Sequence, residues 1–310
     1  MRCIKEIDEI KSERQTAVTL GKFDGFHRGH QKLLFELCEA KKQGCLSVAF
    51  TFDAPPKACM NGEPLKALLS SREKCDLAER MHVDWLIVCP FTERIRNMAA
   101  ERFVKEILIQ QLHAKKIVTG VDFRFGYQRS GDVEMLRDLS KIYGYELAAL
   151  EKEMDGGRVI SSTLIREKLA QGDMEHVNRL LGYPFHVTGE IIHGAQLGRT
   201  IGMPTINLRP GADKLLPPNG VYASDVEIEG NVYLGVTNIG YKPTVSGEHV
   251  CGVETYLLDT SGDFYGKTAR VRLYSFQRPE QKFHSVEELT EQMRRDAKQA
   301  EAYMRKNLAE

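Results

Sequence analysis

The sequence has no run of apolar residues as long as the ~18–20 that a membrane-crossing helix requires, so no membrane partner is expected. It also lacks an excess of charge of either sign. Over 310 residues, 43 Lys and Arg stand against 43 Asp and Glu. The balance holds locally, with 29 basic and 27 acidic side chains in 1–184 and 14 and 16 in 185–310. A protein that grips a nucleic-acid backbone carries a basic surplus somewhere, so no nucleic-acid partner is expected and any phosphate partner is small and locally held. Cys-x-x-Cys spacing is missing. The seven cysteines (Cys3, Cys38, Cys45, Cys59, Cys75, Cys89 and Cys251) are odd in number and suit neither a disulfide framework nor a zinc site. The opening, MRCIKEIDEIKSER, is charged and has no apolar stretch of the kind a secretory signal needs. A cytoplasmic protein with reduced thiols is the expectation.

What is present is enough apolar material for ordinary cores, 42% of residues, in two textures. Up to about residue 180, apolar runs at 17–20, 46–52, 85–89, 117–119 and 146–150 alternate with helix-patterned stretches near 29–42, 71–81, 99–113 and 132–143. Each stretch is long enough to cross over a parallel sheet, which predicts an α/β domain of Rossmann-like type. Two short helices follow, near 162–171 and 173–181. From 185 to 276 the runs are short, partly alternating and split by Gly, Pro and Asn, as in HVTGEII, GVYASDVEI and ARVRLYSF, and predict an all-β barrel or sandwich. A last helix over 286–306 opens after Ser285, with Glu288 three residues on as a capping box. The joint falls at Gly182-Tyr183-Pro184, giving domains 1–184 and 185–310.

The first chemical constellation follows the first long strand: Gly21-Lys22-Phe23-Asp24-Gly25-Phe26-His27-Arg28-Gly29-His30, then a helix. Ligands of open α/β sheets sit at the carboxyl ends of strands, and a helix N-terminus there presents free N–H groups to phosphate. His27 and His30 share a face of the first helical turn, where two imidazoles can stabilise charge building on a phosphate. Further on, Ile160-Ser161-Ser162-Thr163-Leu164-Ile165-Arg166 opens a helix with hydroxyls and bare N–H groups and sets Arg166 one turn in, a natural pyrophosphate clamp. GKFDGFHRGH resembles the signature of the HxGH nucleotidyltransferase superfamily. With FDG ahead of the first histidine, it resembles the FMN adenylyltransferase module of bacterial bifunctional riboflavin kinase/FAD synthetases. Ile160–Arg166 resembles that family's second phosphate motif. Gly120-Val121-Asp122-Phe123-Arg124-Phe125-Gly126 resembles its flavin- and nucleotide-contacting loop. The resemblance implies nucleotide or flavin binding at Gly21, Phe23, Asp24, Gly25, Asp122, Phe123, Ser161, Ser162 and Thr163, and catalytic roles for His27, His30 and Arg166. One departure stands out. Where the family shows Phe-acid-Pro-His-Pro, this chain has Phe52-Asp53-Ala54-Pro55-Pro56, without the histidine.

The second half holds a decoy and a constellation. Gly262-Asp263-Phe264-Tyr265-Gly266-Lys267-Thr268 imitates a P-loop, but it is one residue short and a strand-like run follows where a helix is required. Upstream, glycines recur at 194, 198 and 202 in a segment flanked by strands, a loop able to wrap phosphates with its N–H groups. Thr205 and Asn207 lie two apart, so on a strand they point the same way, and their oxygens suit Mg²⁺ held jointly with phosphate. Glu254, a carboxylate inside a β-forming run, has the chemistry to accept the proton of an attacking alcohol. The segments GRTIGMPTINL, PPNGVYA, GVTNIGYKPT, VETYLLD, DFYGK and RPEQKF resemble the riboflavin kinase module, a small β-barrel with a C-terminal helix. Small departures are Ile206 where Ala is common and Tyr256 where His is common.

That resemblance implies Mg²⁺ and ATP phosphate on Thr205 and Asn207, Glu254 as base for the ribityl hydroxyl, and Gly194, Gly198 and Gly202 along the phosphates. Arg278 and Phe283, with the last helix, would close the flavin pocket. Together the two resemblances imply a bifunctional enzyme. One module phosphorylates riboflavin with ATP to FMN, and the other adenylylates FMN with a second ATP to FAD and pyrophosphate. Two other readings stay open at this level: a kinase with a weakened adenylyltransferase module, and a flavin-binding regulator without turnover.

Overall fold

The computed structural model describes residues 1–6, 9–53, 66–194, 198, 202–243, 249–260 and 262–308. Residues 54–56, where the first half departs from the pattern it resembles, and 195–197 and 199–201 of the glycine-recurring segment lie outside the described residues. The chain divides into two compact units, Met1–Ser162 and Thr163–Glu310.

The first unit is built on a six-stranded parallel sheet of β1 (Arg2–Ile4), β2 (Thr16–Leu20), β3 (Leu46–Phe52), β4 (Trp85–Cys89), β5 (Ala114–Gly120) and β6 (Glu146–Leu150), in the order β1-β4-β3-β2-β5-β6. β2 is buried at every position, which is why TAVTL reads as a continuous run rather than an alternation. Helix α1 (Arg28–Lys41) crosses from β2 to β3, and the helix Ser71–Arg80 from β3 to β4. A longer segment, Ala100–Arg102 continued by Phe103–Gln111, crosses from β4 to β5, and Val133–Tyr143 from β5 to β6. These crossovers match the expected helices, except that Phe103–Gln111 winds in π-helical fashion, as in the bond from the Leu112 N–H to the Ile107 carbonyl (3.0 Å). Ser70 and Glu73 form a complete capping box, and Asp132 caps Val133–Tyr143 while Gly144 ends it in the left-handed region.

The chain lays β3 and β4 on one side of β2, then crosses to lay β5 and β6 on the other. The strand order therefore reverses at β2, and the crevice at its carboxyl end is where such sheets take ligands. A short hairpin, β7 (Met154–Asp155) and β8 (Arg158–Val159), follows β6 and was not expected from the sequence.

The second unit opens within the helix Ser162–Ala170, at Thr163, and continues through Met174–Leu181, ahead of the joint expected at 182–184. Asn178 of the second helix holds the barrel, donating Nδ2–H to the Leu273 carbonyl (2.9 Å) and accepting the Phe185 N–H (2.8 Å). The strands β9 (Phe185–Ile192), β10 (Thr205–Leu208), β11 (Gly220–Ile228), β12 (Asn231–Pro243), β13 (His249–Leu257) and β14 (Thr268–Arg278) close into an antiparallel barrel ordered β10-β13-β12-β11-β14-β9. Inside runs a chain of buried hydroxyls, Ser224–Thr237–Thr255, at 2.8 Å per link.

The C-terminal helix Val286–Leu308 packs Ala300 and Met304 on Ala223, Tyr274 and Val236 of the outer face. Ser285 caps it as expected, accepting the Glu288 N–H at 3.1 Å. Glu288 reaches back to the His284 N–H (2.9 Å), one residue ahead of the cap. β14 begins at Thr268, so the P-loop look-alike is a turn into a strand.

Candidate functional site

Beyond β2 the Gly21 N–H still bonds the Phe50 carbonyl (3.1 Å), and then the chain turns. Phe23 (φ 43°), Gly25 (φ 93°) and Phe26 (φ 38°) all take left-handed backbone. This costs the two phenylalanines, and their fully buried rings, stacked at 5.4 Å, offset it. Gly21 leaves room for the turn, since a Cβ there would stand 3.0 Å from the Phe23 ring.

The turn delivers His27 to the N-cap position of α1 and His30 to its first turn. Their rings stack with centroids 3.7 Å apart, and His30 meets the Phe23 ring edge-on at 5.1 Å. His27 is 6% exposed, and Nδ1 of both histidines is buried without a hydrogen-bond partner. Burial pushes the His27 imidazole down to about 4, against the upward pull of Asp24. Burial also holds His30 well below its usual value, with His27 and Lys74 pushing the same way. Both rings are therefore neutral at pH 7 and carry one N–H each, able to meet an anion without first surrendering a counter-charge. Gly29 is part of the arrangement, because a Cβ there would stand 3.2 Å from His27 Nδ1.

The other expected residues of this unit are placed as follows. The Asp24 carboxylate accepts the Leu68 N–H (2.8 Å), and its carbonyl accepts the Ser162 hydroxyl (2.8 Å). Asp24 thus ties the segments at Leu68 and Ser162 to the loop. Ser161 immediately precedes Ser162 and is half-buried. Asp122 is exposed and paired with Lys152 (2.8 Å). Phe123 stacks on Phe125 at 5.5 Å and bonds its N–H to the Gly120 carbonyl (3.1 Å). Arg28 pairs with Glu153 (2.8 Å), anchoring the start of α1 to the segment after β6. Thr163 and Arg166 lie on the helix Ser162–Ala170 past the division at Ser162, within the second unit.

In the barrel, Thr205 Oγ1 donates to Glu254 Oε1 at 2.7 Å. Antiparallel register sets Asn207 opposite Glu254, and Glu254 opposite Asn238, in one row across β10, β13 and β12. Directly opposed residues face the same way, so the row lies on the outer face that also carries the C-terminal helix. Gly194 lies against Asn207 so closely that a Cβ would fall 2.4 Å from Nδ2. A Cβ on Gly198 would fall 2.3 Å from the Met203 carbonyl and 3.4 Å from Thr205 Cγ2. Gly202 takes φ 73° in the turn that returns the chain to β10. Bare backbone therefore lies against the Asn207 amide and beside the Thr205 side chain, which stand with the Glu254 carboxylate. This all-oxygen donor set and its glycine cradle fit a hard divalent cation shared with phosphate.

A cleft of about 260 Å³ opens beside Thr205 between Ile191, Pro204, Leu257, Phe264 and Tyr265, and His193 stacks on Tyr265 at 3.7 Å. A second, of about 320 Å³, lies between Tyr256 and Asp259 and the helix residues Arg294 and Lys298. Arg278 grips the buried Asp296 through Nε (3.0 Å) and Nη2 (2.7 Å) and stands 5.9 Å from the Phe283 ring. Its guanidinium thus pins the C-terminal helix and the Phe283 segment.

Sequence reasoning missed Lys74, whose charge reaches His30 from the helix Ser71–Arg80 and which no motif marks. It also missed Asn238 and Glu280, although both stand inside segments that carry the resemblance, GVTNIGYKPT and RPEQKF.

Comparison with known proteins agrees with both halves. A family model described as FAD synthetase matches residues 9–164, and one described as riboflavin kinase matches 181–304. A bifunctional riboflavin kinase/FMN adenylyltransferase from Listeria monocytogenes is 34% identical, over 93% of this chain and 92% of its own. Proteins of the same description from Pseudomonas fluorescens (35%, covering 97% of each chain) and Escherichia coli K12 (36%, covering 96% of each) agree. A crystal structure from Streptococcus pneumoniae described as a macrolide-efflux protein superposes with a TM-score of 0.85 at 31% identity, over 96% of this chain and 98% of that one. Among the described residues, no helix is long and apolar enough to cross a membrane. With both modules matched in order and their relatives aligned nearly end to end, the chain belongs to the bifunctional riboflavin kinase/FMN adenylyltransferase family.

Proposed function

We propose that the family's two reactions run on the two residue sets above, with domains 1–184 and 185–310 each carrying one. In the kinase, Glu254 takes the proton of the riboflavin 5′-hydroxyl as that oxygen attacks the γ-phosphorus of ATP, and ADP leaves. The 2.7 Å bond from Thr205 to Glu254, with Asn207 in register beside it, is the observation that carries this assignment. Thr205 donates its proton to Glu254 while its oxygen retains acceptor capacity, so hydroxyl and amide can hold a cation without disarming the base. Mg²⁺ bound there neutralises charge on the phosphates. The glycines at 194, 198 and 202 let the triphosphate approach bare N–H groups. The cleft walled by Phe264 and Tyr265 takes the nucleotide.

In the adenylyltransferase, the FMN phosphate attacks the α-phosphorus of ATP and pyrophosphate leaves. The nucleophile is already ionised near pH 7, so no general base is required and positioning dominates. His27 and His30 donate N–H to the phosphates, and Arg166 keeps the pyrophosphate role its motif implies. The buried Nδ1 atoms of both rings, which have no hydrogen-bond partner, support this reading, since an anion would satisfy them. The balanced charge supports small-molecule substrates, and seven cysteines without paired spacing support a cytoplasmic setting.

The test is chromatography of flavins after incubation with ATP and Mg²⁺, starting from riboflavin or from FMN. Glu254→Gln is expected to stop FMN formation and leave FMN-to-FAD conversion, and His27→Ala to do the reverse. Loss of both activities in either variant refutes two separate sites.

A further inference from the structure

Three segments that match the kinase module, PPNGVYA, GVTNIGYKPT and RPEQKF, meet at one carboxylate that the proposed mechanism does not use. Glu280, two residues past β14, accepts from Asn219 Nδ2 (3.2 Å) through one oxygen and from Asn238 Nδ2 (3.3 Å) through the other. It sits directly over Gly240. A Cβ on Gly240 would lie 1.9 Å from Glu280 Oε1 and 2.7 Å from its carboxyl carbon, so any side chain there would displace the carboxylate from this seat.

The seat borders the proposed chemistry. Asn238 is the cross-strand neighbour of Glu254, and Gly240 that of Gly252. Residues two apart on a strand share a face, so the Gly240–Gly252 pair lies on the same outer face as the Asn238–Glu254 pair, one step along. No side chain rises there. The result is a shelf of bare backbone beside the base, with the Glu280 carboxylate lying over one end. Across the strands the polar row runs Asn207, Glu254, Asn238, and Glu280 extends it.

We propose that Glu280 is a positioning residue of the kinase. It latches the segment 279–285, which carries Phe283, onto Asn219, Asn238 and Gly240, and so forms the wall against which riboflavin's ribityl chain is held over the Gly240–Gly252 shelf, its terminal hydroxyl towards Glu254. Both bonds are exposed, at 3.2 and 3.3 Å, so the latch draws its strength from the ionised acceptor and from having two donors. Glu280 takes no proton in the reaction. It acts on where the acceptor alcohol lies, so its loss weakens the hold on riboflavin more than the turnover of bound substrate.

This inference rests on Glu254 as the base, and the experiment separates the two. Steady-state kinase kinetics would be measured for Glu280→Ala, Glu280→Gln, Gly240→Ala and Glu254→Gln, varying riboflavin and ATP separately, with FMN-to-FAD conversion followed as a folding control. Glu280→Ala is expected to raise the riboflavin KM about tenfold, the scale of one lost charged hydrogen bond, with the ATP KM unchanged and kcat little reduced. Glu280→Gln restores most of that affinity, since an amide can still accept from one asparagine and donate to the other once that side chain flips. Gly240→Ala displaces the carboxylate without removing it and reproduces the Glu280→Ala effect. A wild-type riboflavin KM in both Glu280→Ala and Gly240→Ala overturns the latch, as does a parallel rise in both KM values, which marks general loosening. Full activity in Glu254→Gln instead refutes the underlying assignment of the base.

Discussion

Replacing Gly194 by alanine tests how the barrel holds its phosphate-side residues. The new Cβ would stand 2.4 Å from Asn207 Nδ2 and 2.7 Å from its Cγ, and ordinary contact begins near 3.4 Å. Asn207 or the backbone at 194 must therefore yield by about 1 Å, and a displacement of that size at a reacting centre costs on the order of a hundredfold in rate. Asn207 sits in a register row with Glu254, so a shift there reaches the proposed base as well as the proposed cation seat. The assay is initial FMN formation from riboflavin under saturating ATP and Mg²⁺, with FAD formation from FMN measured in parallel. Kinase turnover is expected to fall about a hundredfold and FAD formation to stay at its starting level, because Gly194 and Asn207 are not among the residues proposed for adenylylation. A wild-type kinase rate in Gly194→Ala would show that Asn207 need not stay where the glycine lets it lie, and would refute the cradle.

The first unit makes two further predictions. His27 binds a proton only near pH 4 in the folded protein but near 6.5 when unfolded, so the unfolded chain carries more protons between those values. Stability is present above the unfolded value and falls as pH drops from 6.5 to 4, by about 3 kcal/mol from His27 alone. Urea unfolding of wild type and His27→Gln at pH 7 and 4.5 checks this, and an identical pH dependence in the two contradicts it. Gly29→Ala would push a Cβ to within 3.2 Å of His27 Nδ1 and tilt the stacked pair. FAD formation from FMN should drop about tenfold while FMN formation is unaffected, read from the same flavin separation.

The chain order of the chemistry was legible because it is written in short-range patterns. Strand and helix alternation located β2 to β6 and their crossovers to within a few residues, since apolar periodicity reports which face a local element buries. A glycine-rich turn between an apolar strand and an amphipathic helix placed His27 and His30 at a helix start before any fold was known. The two-residue spacing of Thr205 and Asn207 put them on one strand face, and β10 bears that out. The parts that were not legible depend on partners distant in sequence. β1 is three residues long and is a strand only because β4 pairs with it. Asp24 reads as a ligand in its motif, yet its carboxylate holds the Leu68 N–H, which no local pattern announces. Arg278 reads as part of a flavin pocket, and its guanidinium grips Asp296 on the C-terminal helix.

The sequence by itself determined the two modules, their order, and the residue types that phosphate chemistry requires, because turns, caps and strand alternation are local properties of the backbone. Only the tertiary structure decided which of those residues meet. Thr205 and Glu254 are 49 positions apart, and Asn238 and Glu280 are 42 apart, brought together by barrel closure and strand register. Tertiary packing also keeps the histidine pair neutral well below pH 6.5, where an exposed imidazole would take up a proton, because burial disfavours the charged form.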